Sequence, residues 1–197
     1  YRISRHSALK AGVTSGLSTR YGSDFTTVEF STNRVNFNRS VFGDGEVVFD
    51  ECEMDSGKFS FKRTMLGTGT FSFEEVMFEH VDVSFERTIF GQGKLSFYKS
   101  YFSTLSLNFC HLDSFVDLWL HQTKNLDLSN TIVRDIIDLN PHEFSARIQT
   151  LYMAGMRLIG RIYLDWKLNR VKALIETQES KSFRVKAEQY RILKENF

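Results

Sequence analysis

NRSVFGDGEVVF DECEMDSGKFSF KRTMLGTGTFSF EEVMFEHVDVSF ERTIFGQGKLSF, residues 38–97, falls into blocks of twelve that each end on phenylalanine. The series runs on in both directions: Phe25, Phe37, Phe49, Phe61, Phe73, Phe85, Phe97 and Phe109 keep the spacing of twelve without insertion. A fixed period of this kind marks a repeat architecture. Five residues after the first seven come Phe30, Phe42, Met54, Leu66, Phe78, Phe90 and Phe102. Val35, Val47, Phe59, Phe71, Val83, Leu95 and Leu107 stand two residues before the later phenylalanines, and an apolar period of two reads as strand. Asn36, Val48, Ser60, Ser72, Ser84, Ser96 and Asn108, which lie between, are expected on the solvent side of the pleat. Ser40, Cys52, Thr64, Val76, Thr88 and Ser100 are all small and suit a tight inward corner.

The blocks alternate in character, so the true repeat is twenty-four. Blocks 38–49, 62–73 and 86–97 resemble one another, and Gly43 with Gly45, Gly67 with Gly69, and Gly91 with Gly93 recur in them. These six glycines are expected to supply positive-φ turn residues at one corner of each coil. Arg39, Glu51, Arg63, Glu75 and Arg87 alternate in sign every twelve, which a twelve-residue coil would stack as opposite charges. Exposed like charges cost only tenths of a kcal/mol each. Three large inward side chains in a ring of twelve would overfill it, at roughly 1–3 kcal/mol per site. The sequence therefore predicts twenty-four-residue coils with four sides and two twelve-residue halves. Five to six such coils, advancing about 4.8 Å each, make a rod of about 25–30 Å.

Ser23-Asp24-Phe25, Ser40-Val41-Phe42, Thr64-Met65-Leu66, Thr88-Ile89-Phe90, Leu126-Asp127-Leu128 and Thr131-Ile132-Val133 read as small, polar or variable, then large apolar. In this the chain resembles the pentapeptide-repeat proteins across roughly residues 23–139. The resemblance implies a mainly β fold, a right-handed quadrilateral β-solenoid. The departure is that every second step here is seven residues rather than five.

Residues 1–22 are expected to be an N-terminal cap or linker, 23–164 the solenoid, and 165–197 a short α-helical C-terminal cap. From Cys110 the register loosens, and Leu126, Leu128, Val133, Ile137 and Leu139 restore a rhythm; Leu151 to Leu164 reads as one further coil. Asp165 opens a helical stretch with Leu168, Val171, Leu174 and Ile175 on one face. Ser182 suits the N-cap of a second helix carrying Phe183, Ala187, Tyr190 and Leu193. Helices at the end of a solenoid cover strand edges that would otherwise pair with other chains. The chain starts on Tyr1 and stops at KENF without a C-cap signal, so it is expected to be a piece of a longer protein.

Composition excludes more than it assigns. Nineteen phenylalanines and one proline suit a repetitive, fully paired β structure. The net charge is +1, with 14 basic against 18 acidic residues in 1–140 and 11 against 6 in 141–197, neither a basic nucleic-acid footprint nor a dense acidic mimic of DNA. Two cysteines do not make a disulfide framework, which favours a reducing, cytoplasmic compartment. Cys52 sits at an inward position, while Cys110 follows a core phenylalanine and is expected nearer the surface. No apolar run is long enough to span a membrane or to act as a signal peptide.

His6, His80, His111, His121 and His142 lack metal-ligand spacing. Asp50-Glu51 and Glu74-Glu75 are expected to face water rather than to act as an acid/base pair. FGDG, LGTG and FGQG lack the Lys-Ser/Thr and the strand-to-helix switch of a phosphate loop. No Thr-x-Thr array of the ice-binding kind appears. No catalytic, metal or cofactor-binding residue is assigned, and a non-enzymatic scaffold is expected. Its partner would be another protein or another domain of the same polypeptide; a homo-oligomer is compatible, and neither nucleic acid nor direct membrane insertion is expected. The tail GRIYLDWKLNRVKALI also resembles the segment that follows pentapeptide-like coils in bacterial ion-channel-type membrane proteins, which implies a cytosolic regulatory module as an alternative. Gyrase-binding DNA mimicry, known in the resembled family, ranks third.

Overall fold

The structure is a computed structural model and describes residues 18–19, 22–167, 170–178 and 182–195. The chain winds as a parallel β-solenoid of about six turns. Two sheets contain seven strands and one contains six, every pairing being parallel between successive turns. The fourth side is held at first by isolated bridges, Glu29 to Glu53 to Met77. It then merges into the longer strands Met77–Ser84, Tyr101–Ser106 and Gln122–Asp127. Ser18–Thr19, inside the stretch expected as a cap or linker, already pair with Val41–Phe42.

The twenty-four-residue register holds where the sequence places it: Val41 lies on Met65, and Met65 on Ile89. The twelve-spaced phenylalanines form two columns rather than one. Phe25, Phe49, Phe73 and Phe97 stack at centroid distances of 4.6, 4.8 and 5.8 Å. Phe37, Phe61 and Phe85 stack at 5.0 and 4.9 Å. The columns meet edge to face, as between Phe61 and Phe73 at 5.7 Å and 89°, the geometry that the ring quadrupole favours. Phe30, Phe42, Met54, Leu66, Phe78, Phe90 and Phe102 complete the interior, all buried.

Phe109 departs from the expected ladder. It is 46% exposed, at the surface beneath the guanidinium of Arg87. The cause is a register shift between Phe102 and Thr104, where the turn loses two residues: Phe102 pairs with Phe78 at a separation of twenty-four, Thr104 with Asp82 at twenty-two. Leu105 therefore lies on Val83, and Leu107 moves into the column of Phe85. The next turn is shorter still, with Leu126 on Leu105 and Ile137 on Val116, each twenty-one residues on. Cys110 shifts with its neighbours into the inward small row and is fully buried, against the expectation of a surface thiol.

The small row ties turns together. Thr64 and Thr88 donate their hydroxyls to the carbonyls of Phe37 and Phe61 at 3.1 and 2.7 Å. Ser100 does the same to Phe73, and the thiols of Cys52 and Cys110 to Phe25 and Phe85. A buried polar group is tolerated because it is hydrogen-bonded.

The glycines expected at positive φ are not there: among the described glycines only Gly57 and Gly155 have positive φ. Left-handed backbone falls instead to Thr27, Arg39, Glu51, Arg63, Glu75, Arg87 and Lys99, twelve residues apart, with φ between 53° and 60°. Gly67, Gly69, Gly91 and Gly93 are required by close approach. A Cβ on Gly69 would lie 2.2 Å from the carbonyl oxygen of Gly45, and one on Gly93 2.1 Å from that of Gly69.

The C-terminal end is closed by helices α1 (Val171–Glu176) and α2 (Phe183–Lys194). Helix α1 starts later than Asp165; Val171, Leu174 and Ile175 are buried as expected, and Leu168 lies outside the described residues. Ser182 caps α2 by accepting from the Val185 amide, yet Phe183 is 87% exposed, because α2 turns Gln189, Ile192 and Leu193 inward instead. Two buried glutamines replace the strand that a further turn would have supplied. Gln189 Oε1 accepts from the Met153 amide at 2.8 Å, Gln178 Nε2 donates to the Leu151 carbonyl, and the two side-chain amides bond each other. Thr177 and Glu188 extend this edge cover to the Gln149 carbonyl and the Gly155 amide.

Candidate interaction surface

With Phe, Leu and Met columns filling the interior, the side chains able to meet another molecule are on the outside. Three features stand out from the Ser and Asn background there. The first is a pair of opposed charged corners. Residues twelve apart in a turn of twenty-four lie on opposite corners, so Arg39, Arg63 and Arg87 stack along one and Glu51, Glu75 and Lys99 along the other. Lys62 adds to the basic corner and bonds Glu86 of the next turn at 2.7 Å, which holds the Glu86 carboxyl below its ordinary range.

The paired carboxylates divide their roles. Glu51 and Glu75 are exposed, as expected. Asp50 and Glu74 fold over the serines of the next turn: Ser72 donates to Asp50 at 2.5 Å and Ser96 to Glu74 at 2.6 Å, so Ser72 and Ser96 are buried although the sequence places them at the solvent. Desolvation raises the Asp50 carboxyl above its ordinary value against these hydrogen bonds. On the opposite corner Asn38 Oδ1 performs the same task for the Ser60 hydroxyl and the Lys62 amide.

The second feature is an apolar ladder beside the basic corner. Val41, Met65 and Ile89 follow the arginines by two residues and are 44%, 52% and 44% exposed. The third is an aromatic cluster built where the chain leaves the repeat at 140–146. His142 packs on Trp119, and Phe144 on His121 and Tyr98, while His121 packs on Tyr101 at 4.7 Å. Tyr98 donates its hydroxyl to Glu143 at 2.6 Å, the main cause of its raised pKa, and Lys99 lies over the Tyr98 ring at 4.8 Å. Tyr101, His121, Phe144 and Met77 line an open groove of about 430 Å³ with Glu75, Glu143 and Lys99. Periodicity does not reveal this cluster, because Tyr98, Tyr101, Trp119, His121, His142 and Phe144 come from segments that share no common repeat position. The available signal was the break in period at 140–146, where the single proline, Pro141, also lies.

Among the described residues no group of three or more His, Cys, Asp or Glu is arranged to hold a metal ion. Burial pushes the Cys52 thiol up to about 12 and that of Cys110 higher, the opposite of an activated nucleophile. The Gly67 and Gly91 amides bond to the Phe42 and Leu66 carbonyls of the turn below, which takes them out of any phosphate cradle. Among the described residues no helix is long and apolar enough to cross a membrane. Compared with known protein families, curated proteins and solved structures, the chain matches none.

Proposed function

We propose that this chain is a non-enzymatic scaffold of the pentapeptide-repeat type, whose outer surface binds a protein partner or another part of its own polypeptide. The observation that carries this reading is the division of side chains. Most large apolar residues turn inward in stacked columns, and among the described residues the aromatic and charged ones outside line ridges and an open groove. Repeat scaffolds bind through extended surfaces of this kind. Aromatic residues are enriched at protein interfaces, and Tyr98, Tyr101, Trp119 and Phe144 offer such a patch. Two buried, free cysteines fit a reducing, cytoplasmic setting. DNA mimicry needs acidity along the whole surface; here a basic corner opposes the acidic one.

The test is affinity capture with the wild-type chain beside a Tyr101→Ala/Phe144→Ala variant, with circular dichroism as the fold control. A protein retained by the wild type and lost by a folded variant supports the reading. Equal retention by both, or retention of nothing, counts against it.

A further inference from the structure

The two charged corners repeat at the same pitch with opposite signs. Arg39, Arg63 and Arg87 share φ values of 59°, 57° and 60°, and Glu51 and Glu75 share 55° and 56°, so the backbone that carries successive rungs repeats one left-handed conformation at each corner. Successive rungs are one turn apart, about 4.8 Å. Among the described residues no salt bridge within 4.0 Å involves Arg39, Arg63, Arg87 or Glu51. Arg39, Arg63, Arg87 and Glu51 thus make no direct ion pair there, whereas Glu75 lies 4.0 Å from Lys99 of the next turn and Glu86 is bonded to Lys62 beside the arginines. A carboxylate ladder of matching pitch is what another solenoid presents, and the opposite corner of this same chain carries one.

We infer that copies of this chain associate side by side, with the Arg63 and Arg87 corner of one rod against the Glu51 and Glu75 corner of the next. This names a partner within the scaffold reading and rests on it. Parallel rods have one register that fits every rung. With Arg63 on Glu51 and Arg87 on Glu75, Arg39 meets neutral Thr27. Lys99 then meets Phe109, whose ring already takes Arg87 at 5.5 Å to its centroid. The neighbouring register, with Arg63 on Glu75, brings Arg87 against Lys99 and is opposed by like charge. Met65 and Ile89 beside the arginines and Met77 beside Glu75 are exposed and flank the contact. One exposed ion pair contributes little, so association depends on several in register and is salt-sensitive. A pair of rods keeps one unfilled corner of each sign, one at either side. The contact is therefore heterologous and open, and assembly grows with concentration instead of stopping at a dimer.

Sedimentation velocity at about 25 mM and about 500 mM salt, where the screening length shrinks several-fold, tests this. The wild type should exceed monomer mass at low salt, increasingly with concentration, and return to monomer at high salt. Arg63→Glu/Arg87→Glu and Glu51→Arg/Glu75→Arg each make both corners alike and should remain monomeric. Their equimolar mixture should associate again, with the two variants alternating. Each exchange installs a residue that the opposite corner already holds at the same φ, and circular dichroism verifies the fold. A wild type that stays monomeric at low salt, variants that assemble like the wild type, or a mixture that fails to associate would each overturn the inference. So would a monomer that sediments with anionic vesicles through its arginine corner. A monomeric chain that still captures a protein through Tyr101 and Phe144 overturns the corner pairing and leaves the scaffold reading intact.

Discussion

Phe61 and Phe109 occupy equivalent places in the twelve-residue series, yet the structure assigns them opposite fates. Phe61 is fully buried, stacked between Phe37 and Phe85 at 5.0 and 4.9 Å and edge-on to Phe49, Phe71 and Phe73. Truncating a buried phenylalanine to alanine costs about 3–5 kcal/mol through lost transfer energy and the cavity left behind. The stacked pairs lost with it put Phe61→Ala toward the top of that range. Phe109 is 46% exposed and makes its ring contact with Arg87, an exposed cation–π pair worth roughly 0.5–1 kcal/mol, so Phe109→Ala should cost about 1 kcal/mol or less. Urea unfolding followed by circular dichroism measures both. The midpoint should fall far more for Phe61→Ala, with similar slopes if unfolding remains cooperative. Equal losses at the two sites, or a loss below about 1 kcal/mol at Phe61, would refute the register shift that separates them.

Gly69→Ala should lower the thermal midpoint by several degrees or block folding, since its Cβ would meet the Gly45 carbonyl oxygen at 2.2 Å and only backbone movement relieves that. Gln189→Leu should cost about 1–3 kcal/mol in urea unfolding and speed hydrogen exchange at the Met153 amide, which loses its acceptor. Asp50→Asn should be neutral or stabilising at pH 7, because Asn38 already fills the same role on the opposite corner. The Asp50 carboxyl is raised in the fold, so its contribution is greatest when protonated and is lost as pH rises through the folded value; the advantage of Asn over Asp should shrink on acidification through the carboxylate range. Denaturation midpoints from pH 3 to 7 check that sign, and a growing advantage at low pH would contradict it.

A Phe every twelve residues, an apolar residue five on and a small one between them determined the strand period, the inward rows and the twenty-four-residue turn, because side chains alternate across a strand and an overfilled ring of twelve is costly. A second signal was present but quieter: Leu105 with Leu126, Leu107 with Leu128, and Leu112 with Val133 are spaced by twenty-one and mark the change of turn length. Phe109 obscured it by falling on the older period while standing outside the column. Whether a residue follows one period or the next depends on where pairing with the turn below slips, and that is set by neighbours twenty or more residues away. The glycine corner needed the same information. A glycine at a turn is compatible with positive φ or with a carbonyl pressed against its α-carbon, and only stacked turns decide for the second. The buried glutamine cap and the aromatic groove were likewise invisible to periodicity, since each joins residues from segments that share no repeat. Local pattern specified how one turn is built; contact between turns decided where each turn starts, which phenylalanine it leaves outside and how the last one is closed.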